Sequence, residues 1–286
     1  MTVVRGHITK MAAVACAAAL ACATAIACGS FSSDEPTTPP LIEAGNDAVA
    51  PDAFLATDGG DAAGDTGPSG PFCLAHPGAL LCADFDDPGA SAFQTTNTTD
   101  GGSIVILPGD GGAYSPPNLL AVAVKPTGEN CRFAYLDRTL DTPAPNGYHL
   151  EFKVRPDALP SEHAMGPSVK MSADGGQFCD LFYKVSLMSI GIEQEHAPDA
   201  STSYLDTSRK LLNQWNHVVL DVAGPVNNHT VTLSVNGTVA LDHVALDGIC
   251  QGADRLIGAG IGLFCIADDV MQDVIVAFDD VLLTVH

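Results

Sequence analysis

Glu193-Gln194-Glu195-His196 places two carboxylates two residues apart. Alternate residues of a strand share a face, so such a pair could flank one glycosidic bond. Pro198 follows closely and the segment is polar, which predicts an exposed strand end or turn there. Other acids gather at Asp84, Asp86 and Asp87, at Asp268-Asp269, and at Asp279-Asp280. Calcium takes six to eight oxygen ligands and is the ion such clusters would suit. EF-hand spacing is absent, and the alternative is that these acids are solvated and keep the protein soluble. Phe182-Tyr183-Lys184 reads as strand residues with alternating faces. His149 and His217 read as plain strand positions, and Trp215, the single tryptophan, as a packed edge residue. The nucleophile elbow G-x-S-x-G, the zinc motif H-E-x-x-H and glycine-rich phosphate loops are missing.

Charge narrows the partners. The chain carries 12 basic and 34 acidic residues, a formal charge of −22. Nucleic acid is excluded as a partner, because binding it requires cations that displace phosphate counterions. Electrostatic docking on anionic lipid is disfavoured for the same reason. Aromatics make up only 6% of the residues, a thin supply for stacking on sugars.

The N-terminal seventy residues carry an address. Arg5 and Lys10 precede an apolar run from Met11 to Ala27, so residues 1–27 read as a secretion signal. The run ends in Ala25-Ile26-Ala27-Cys28-Gly29-Ser30, which resembles the bacterial lipoprotein signal, the lipobox. The resemblance implies that Cys28 becomes an acylated N-terminus holding the protein to a membrane. It also implies outer-membrane or cell-surface placement, since no Asp follows the cysteine. Residues 28–70 hold no Lys or Arg and are rich in Ala, Gly, Pro and Asp. They cannot bury enough apolar surface to offset ordering entropy, and are expected to be an extended acidic tether. Beyond them stand six cysteines: Cys73, Cys82, Cys131, Cys179, Cys250 and Cys265. In an exported domain an even set favours disulfides, and no C-x-x-C suits zinc. Proximity and presumed strand neighbours favour Cys73–Cys82, Cys250–Cys265 and Cys131–Cys179 among fifteen possible pairings.

These candidates must be positioned by a domain over 71–286. Turn dipeptides such as Asn146-Gly147 and Asn236-Gly237 punctuate short apolar or alternating runs. Strands are predicted near 80–86, 103–107, 119–124, 132–139, 147–155, 167–172, 181–192, 216–222, 230–235, 238–243, 257–265 and 273–285. Leu150, Phe152 and Val154 alternate with Glu151, Lys153 and Arg155, the pattern of a strand with one wet face. Val231, Leu233 and Val235 alternate into Asn236-Gly237, a hairpin signal. Ser203 to Gln214 reads as a short helix or irregular crossover. The fold class is therefore all-β, a two-sheet antiparallel jelly-roll sandwich.

Trp215-Asn216-His217-Val218 with Val231-Thr232-Leu233-Ser234-Val235-Asn236-Gly237 resembles the corresponding stretch of laminin-G-like and concanavalin A-like domains. Phe278-Asp279-Asp280-Val281 resembles their last strand, and Cys82-Ala83-Asp84-Phe85-Asp86-Asp87 their first. In these families a structural calcium often joins those strands. The resemblance implies Asp279 as the leading ligand, with Asp84, Asp86 or Asp87 supplying a second carboxylate. Alternation would turn Asp279 and Asp280 to opposite faces. Phe182-Tyr183-Lys184 resembles, in changed order, the Tyr-Phe-Lys strand of alginate-lyase-like jelly rolls, without their Gln-x-His. The glucanase motif E-x-D-x-x-E is absent. The expected function is non-catalytic binding of an extracellular or cell-wall glycan or of a surface protein. The alternatives are a glycoside hydrolase or polysaccharide lyase of concanavalin A-like fold, and a structural envelope protein without a dedicated ligand.

Overall fold

The computed structural model describes residues 72–86, 92–109, 112–125, 132–160, 164–173, 177–196, 200–208, 211, 213–266 and 273–286. The stretches read as a secretion signal (1–27) and a tether (28–70), with Cys28, and also Asp87, Cys131, Asp268 and Asp269, lie outside them.

In chain order the strands are β1 Leu81–Ala83, β2 Thr95–Thr98, β3 Gly102–Pro108, β4 Asn118–Val124 and β5 Arg132–Pro143. Then come β6 Gly147–Ala158, β7 Ala164–Ser172, β8 Phe178–Val185, β9 Ile190–His196 and β10 Ala200–Asp206. The last are β11 Asn216–Ala223, β12 Thr230–Val235, β13 Thr238–Ala245, β14 Arg255–Ile266 and β15 Val274–Val285, with one short helix, α1, at Gly248–Gly252. One sheet runs β13-β12-β11-β6-β15-β4-β3, with β1 also paired to β15. The other runs β10-β9-β8-β7-β14-β5-β2. Every described strand pair is antiparallel. The jelly-roll sandwich expected from the alternating runs is the fold observed.

The period of two explains why the sheets stack. On the eight-stranded sheet Leu150, Phe152, Val154, Val218, Leu220 and Phe278 turn inward and are buried. On the seven-stranded sheet Leu136, Val169, Leu181, Ile192, Ile261 and Leu263 do the same. Phe152 meets Tyr183 edge-on at 5.5 Å between ring centroids, so the two layers interlock. Burying each such side chain contributes roughly 1.5–3 kcal/mol. The hairpin from β12 to β13 turns at Asn236 and Gly237, both with positive φ (50° and 71°), as a tight hairpin turn requires.

Several elements differ from expectation. The run 181–192 is not one strand: it breaks at Ser186-Leu187-Met188-Ser189 into β8 and β9. The Ser186 hydroxyl accepts the amides of Met188 and Ser189 at 3.1 Å each, doing with a side chain what Gly or Asn usually signals. The polar stretch Ala200–Asp206 is β10 rather than part of a helix. Tyr204 anchors it, since its ring is buried and its hydroxyl donates to Asp247 Oδ2 at 2.9 Å. Weakly apolar Thr95–Thr98 is an edge strand, β2, that the pattern does not announce.

The cysteine pairing is corrected in part. Cys73–Cys82 is bonded as expected. Cys179, however, bonds to Cys250, which overturns both Cys250–Cys265 and Cys131–Cys179. Cys250 precedes β14 and Cys265 lies near its far end. Cys250 meets Cys179, which stands opposite Met171, whereas Cys265 stands opposite Met165; that length of extended strand is roughly 20 Å, well beyond disulfide reach. Cys179 points into the core from β8, where α1 packs against it and delivers Cys250. The Cys179–Cys250 bond spans 71 residues and Cys73–Cys82 spans 9. Chain-entropy arithmetic gives about 4 kcal/mol for the longer loop and about 2.5 for the shorter. Denaturant unfolding of Cys179→Ala/Cys250→Ala is therefore expected to show the larger loss of stability than Cys73→Ala/Cys82→Ala. Peptide mapping of the oxidised protein is expected to recover the Cys179–Cys250 cross-link.

Candidate functional site

The outward face of the seven-stranded sheet gathers ionisable and aromatic groups from five strands. On β5, Ala134 and Leu136 point inward, so Phe133, Tyr135 and Asp137 point out. On β7, Val169 and Met171 are inside and Ser168 and Lys170 face outward. On β8, Cys179, Leu181, Tyr183 and Val185 are buried, leaving Phe178, Asp180, Phe182 and Lys184 on the other side. On β9 the core takes Ile190, Ile192 and Gln194, and Glu193 and Glu195 face outward. Between β5 and β7 runs β14, whose inward residues are Ala259, Ile261 and Leu263 and whose outward ones are Gly258, Gly260, Gly262 and Phe264.

Register brings these groups together. Asp180 stands opposite Lys170 on one side and opposite Glu195 on the other. Asp137 stands opposite Gly260, and Lys170 opposite Gly258. Lys170 Nζ lies 3.6 Å from Asp180 Oδ2 and 4.8 Å over the Phe178 ring. Lys184 is ion-paired to Glu193 and lies 3.3 Å from the Ser203 hydroxyl, which donates to Glu193 at 3.1 Å. Phe264 stacks on Tyr135 at 4.2 Å and meets Phe182 edge-on at 5.4 Å.

Burial and mutual repulsion shift the acids of this face. Asp137 is raised chiefly by burial, against the pull of Lys170. Asp180 is raised by burial, with Asp137 adding to it and Lys170 opposing. Glu195 is raised by burial, then by Glu193 and Asp180. Tyr135 is raised by burial and by the nearby Asp137 and Asp180, so its phenol keeps its proton. The face thus offers a protonated phenol, carboxyls whose pKa values are raised above the ordinary carboxylate range, and two lysines. That is the set needed to take one proton, give another and neutralise a negative charge.

The expectation of an exposed strand end at Glu193-Gln194-Glu195 is corrected. Glu193 is only 8% exposed and Gln194 is buried, because β9 continues through them with β10 outside it. Gln194 points inward, where its Oε1 accepts the Asp247 amide at 3.1 Å. Lys184 is on the candidate face, while Tyr183 belongs to the core. Tyr135, Asp137, Lys170, Asp180 and Phe264 were not singled out from sequence. The signal that could have found them is Gly258-x-Gly260-x-Gly262, an alternation whose inward partners are apolar and whose outward positions are bare.

The acids considered for calcium sit on the other sheet. Asp279 is fully buried, and Asp280 is 4% exposed. The register against β6 slips between Asp279 and Leu282, and Asp280 has φ of 47°. This bulge cancels simple alternation: both carboxylates reach the Ser115 hydroxyl, at 3.2 Å for Asp279 and 2.6 Å for Asp280. Asp279 also accepts the amides of Tyr114 at 3.1 Å, Ser115 at 2.9 Å and Asp280 at 2.9 Å. Asp84 caps the Cys73 and Asp86 amides at 3.4 Å, and Asp86 accepts the Asn118 amide at 3.4 Å. Asp84 also raises the pKa of both Asp86 and Asp280, so these three are neighbours. Among the described residues no group of three or more His, Cys, Asp or Glu is arranged to hold a metal.

His149 and His217 occupy strand positions, as read from sequence, but each has carboxylate company. His217 Nε2 lies 2.7 Å from Glu151, whose other oxygen lies 3.4 Å from His149. His149 Nδ1 lies 3.3 Å from Asp221, which also holds His286 at 3.1 Å. Trp215 is a packed edge residue: its Nε1 donates to the Gly112 carbonyl at 2.9 Å, and the Arg155 guanidinium covers its ring.

No family model matches the chain, and no curated protein matches it. Solved structures do. An endo-β-1,4-glucuronan lyase from the fungus Trichoderma reesei superposes with a TM-score of 0.56 at 12% identity, covering 73% of this chain and 96% of that one. An alginate lyase from a Chlorella virus gives 0.51 at 9% identity, covering 73% and 100%. A mutant alginate lyase in complex with alginate tetrasaccharide gives 0.50 at 15% identity, covering 72% and 96%. At these identities the likeness shows a shared jelly-roll fold.

Burial, outweighing the hydrogen bonds from Ser115 and Asp280, raises the Asp279 pKa from 3.8 to about 8. A raised carboxyl contributes stability that is fully present below its unfolded pKa and lost as pH rises through the folded one. Asp279→Asn removes that dependence. Its stability relative to wild type is expected to improve by about 4 kcal/mol between pH 5 and pH 8, read from denaturant melts at each pH.

Proposed function

We propose that the protein is a polysaccharide-cleaving enzyme that works by β-elimination on the outward face of the seven-stranded sheet. The observation that carries this reading is the convergence of Tyr135, Asp137, Lys170 and Asp180 beside an aromatic floor. Phenol, carboxyl and ammonium meet there within each other's electrostatic reach. The fold likeness to polysaccharide lyases supports it. The setting we propose is outside the cell, with the domain held through acylated Cys28.

A uronate unit in a glycan chain has an acidic proton at C5, next to its carboxylate. Lys170 offsets the negative charge that develops on that carboxylate. Asp137 takes the C5 proton, and its upward-shifted pKa makes it a better base than an ordinary carboxylate. The C–H electrons become the C4–C5 double bond as the C4–O bond breaks. Tyr135 gives its phenolic proton to the departing oxygen, and the proton on Asp137 passes back to restore the phenol.

Non-catalytic glycan binding is the second reading. It is favoured by Lys184, held to Glu193 and Ser203, and by a face whose two lysines meet four carboxyls.

The test is to incubate the protein with polyglucuronate and with alginate, recording unsaturated-uronate absorbance and reducing ends together. Both signals are expected to rise. Tyr135→Phe and Asp137→Asn should each lower kcat at least about 100-fold, in the range general acid–base groups contribute. Lys170→Met should lower kcat and kcat/KM together, as loss of a group that offsets developing charge does. Saturable binding without either signal would favour the non-catalytic reading. Reducing ends without absorbance would point to hydrolysis by Asp180 and Glu195, which face each other across β8 and β9. Because Asp137, Asp180 and Glu195 are all raised, the face loses negative charge at milder acidity than ordinary carboxylates would. KM for a polyuronate is therefore expected to fall as pH is lowered from 8 towards 5.5 in a buffered series.

A further inference from the structure

We infer that His149 is a proton-operated clasp on the outward face of the eight-stranded sheet: as an imidazolium it bridges Glu151 and Asp221, and on losing its proton it releases Asp221 and loosens the hold on His286, just beyond β15. The clasp stands apart from the chemistry read on the other sheet.

On β6, Tyr148, Leu150 and Phe152 are buried, so His149 and Glu151 turn outward. On β11, Val218, Leu220 and Val222 are buried, so His217 and Asp221 do the same. Register sets Asp221 directly opposite His149. Contacts of alternating sign run from His217 to Glu151, His149, Asp221 and His286 in turn. The middle of this chain fixes a protonation state. His149 Nε2 lies 3.4 Å from Glu151 Oε2, and Nδ1 lies 3.3 Å from Asp221 Oδ1. A neutral imidazole carries one N–H, so one of these contacts would set a lone pair against a carboxylate oxygen. Only the imidazolium donates at both ends. Glu151 first, and Asp221 with it, hold the His149 pKa above the ordinary histidine value, against burial. Glu151 is held well below the usual carboxylate range by His149 and then His217. Lys153 from β6 and Asp280 from β15 also act on or feel Glu151. Tyr148, on the core side, is pushed up by burial and by Asp221 and keeps its proton. Opposite His149, Glu151 and Asp221 the neighbouring strands present Thr284, Leu282 and Thr232, none of them charged.

Loss of one proton leaves His149 a single N–H. Glu151 is the less exposed carboxylate, 22% against 35% for Asp221, and costs more to leave unpaired. The remaining hydrogen therefore stays on Nε2, facing Glu151. Nδ1 turns a lone pair to Asp221, which moves off into water. Asp221 Oδ1 also holds His286 Nε2 at 3.1 Å, so that contact goes with it. Val285 opposite Tyr148 and the His286 amide, donated to the Gly147 carbonyl at 3.2 Å, then hold this end of β15. The stability the clasp contributes is fully present below the unfolded histidine pKa of about 6.5 and is lost as pH rises through the higher folded value.

Nitrogen-15 spectra of the histidine rings in the full protein, from about pH 5.5 to 9, test this beside hydrogen–deuterium exchange of the peptide holding Thr284–His286. Both His149 nitrogens are expected to be protonated at the acid end, and Nε2 alone at the alkaline end. Deuterium uptake, corrected for base-catalysed exchange, should rise by up to about fivefold, the range in which half-exposed ion pairs act. That rise should follow the His149 titration and disappear in His149→Gln. Asp221→Asn and Glu151→Gln should each move the His149 midpoint down. A neutral His149 at the acid end, or a midpoint unmoved by Asp221→Asn, would overturn the bridge. An Nδ1–H tautomer at the alkaline end, or uptake that stays flat or follows His286 instead, would overturn the release. The wild-type spectra decide the matter even if a variant fails to fold.

Discussion

The candidate site depends on one strand, β14, whose inward residues fill the core and whose outward glycines let neighbouring side chains close over it. The inward positions of β14, Ala259, Ile261 and Leu263, close the core of the sandwich. Its outward positions, Gly258, Gly260 and Gly262, carry no side chain. Glycines in a strand interior weaken it, since they pack nothing and lose the most entropy on ordering. β14 tolerates them because β5 and β7 flank it and its other face is anchored in the core. Neighbouring side chains then cover the glycines: Phe264 lies over Gly260, Tyr135 of β5 beside Gly262, and Lys170 of β7 beside Gly258, with Asp137 opposite Gly260.

The two sheets divide the work. On the eight-stranded sheet, β15 changes neighbour along one edge, pairing with β4 up to Phe278 and with β1 from Val281. Asp279 and Asp280 occupy the gap. There the ladder has no partner strand, and the loop around Ser115 supplies donors in its place. Buried carboxylates are tolerated where donors surround them, and the cost appears as the upward pKa shift of Asp279. Asp279 and Asp280 thus tie the last strand to the loop before β4.

How much could be read beforehand follows from the range of each interaction. Alternation within Leu150, Phe152 and Val154, and the Asn236-Gly237 turn, are local, and both are visible as strand and hairpin. The break at Ser186–Ser189 was hidden because a hydroxyl, rather than glycine or proline, turns the chain. β10 was hidden because its polar residues are stabilised by pairing with β9 rather than by their own pattern. Lys184 and the Glu193/Glu195 pair could be named, but not their place on one sheet face. Tyr135, Lys170 and Phe264 come from strands far apart in sequence. Only the register of β14 against β5 and β7 makes them neighbours. The disulfide pairing failed on the same ground, since nearness along the chain is undone by a strand that carries Cys265 away.

The bond between Cys179 and Cys250 has a consequence for a chain that is cut. It ties β8, which carries Asp180 and Lys184, to α1 across a loop of 71 residues. A protease that cuts once within that loop severs the backbone but releases nothing. The two pieces remain one covalent molecule, a two-chain protein joined between β8 and α1.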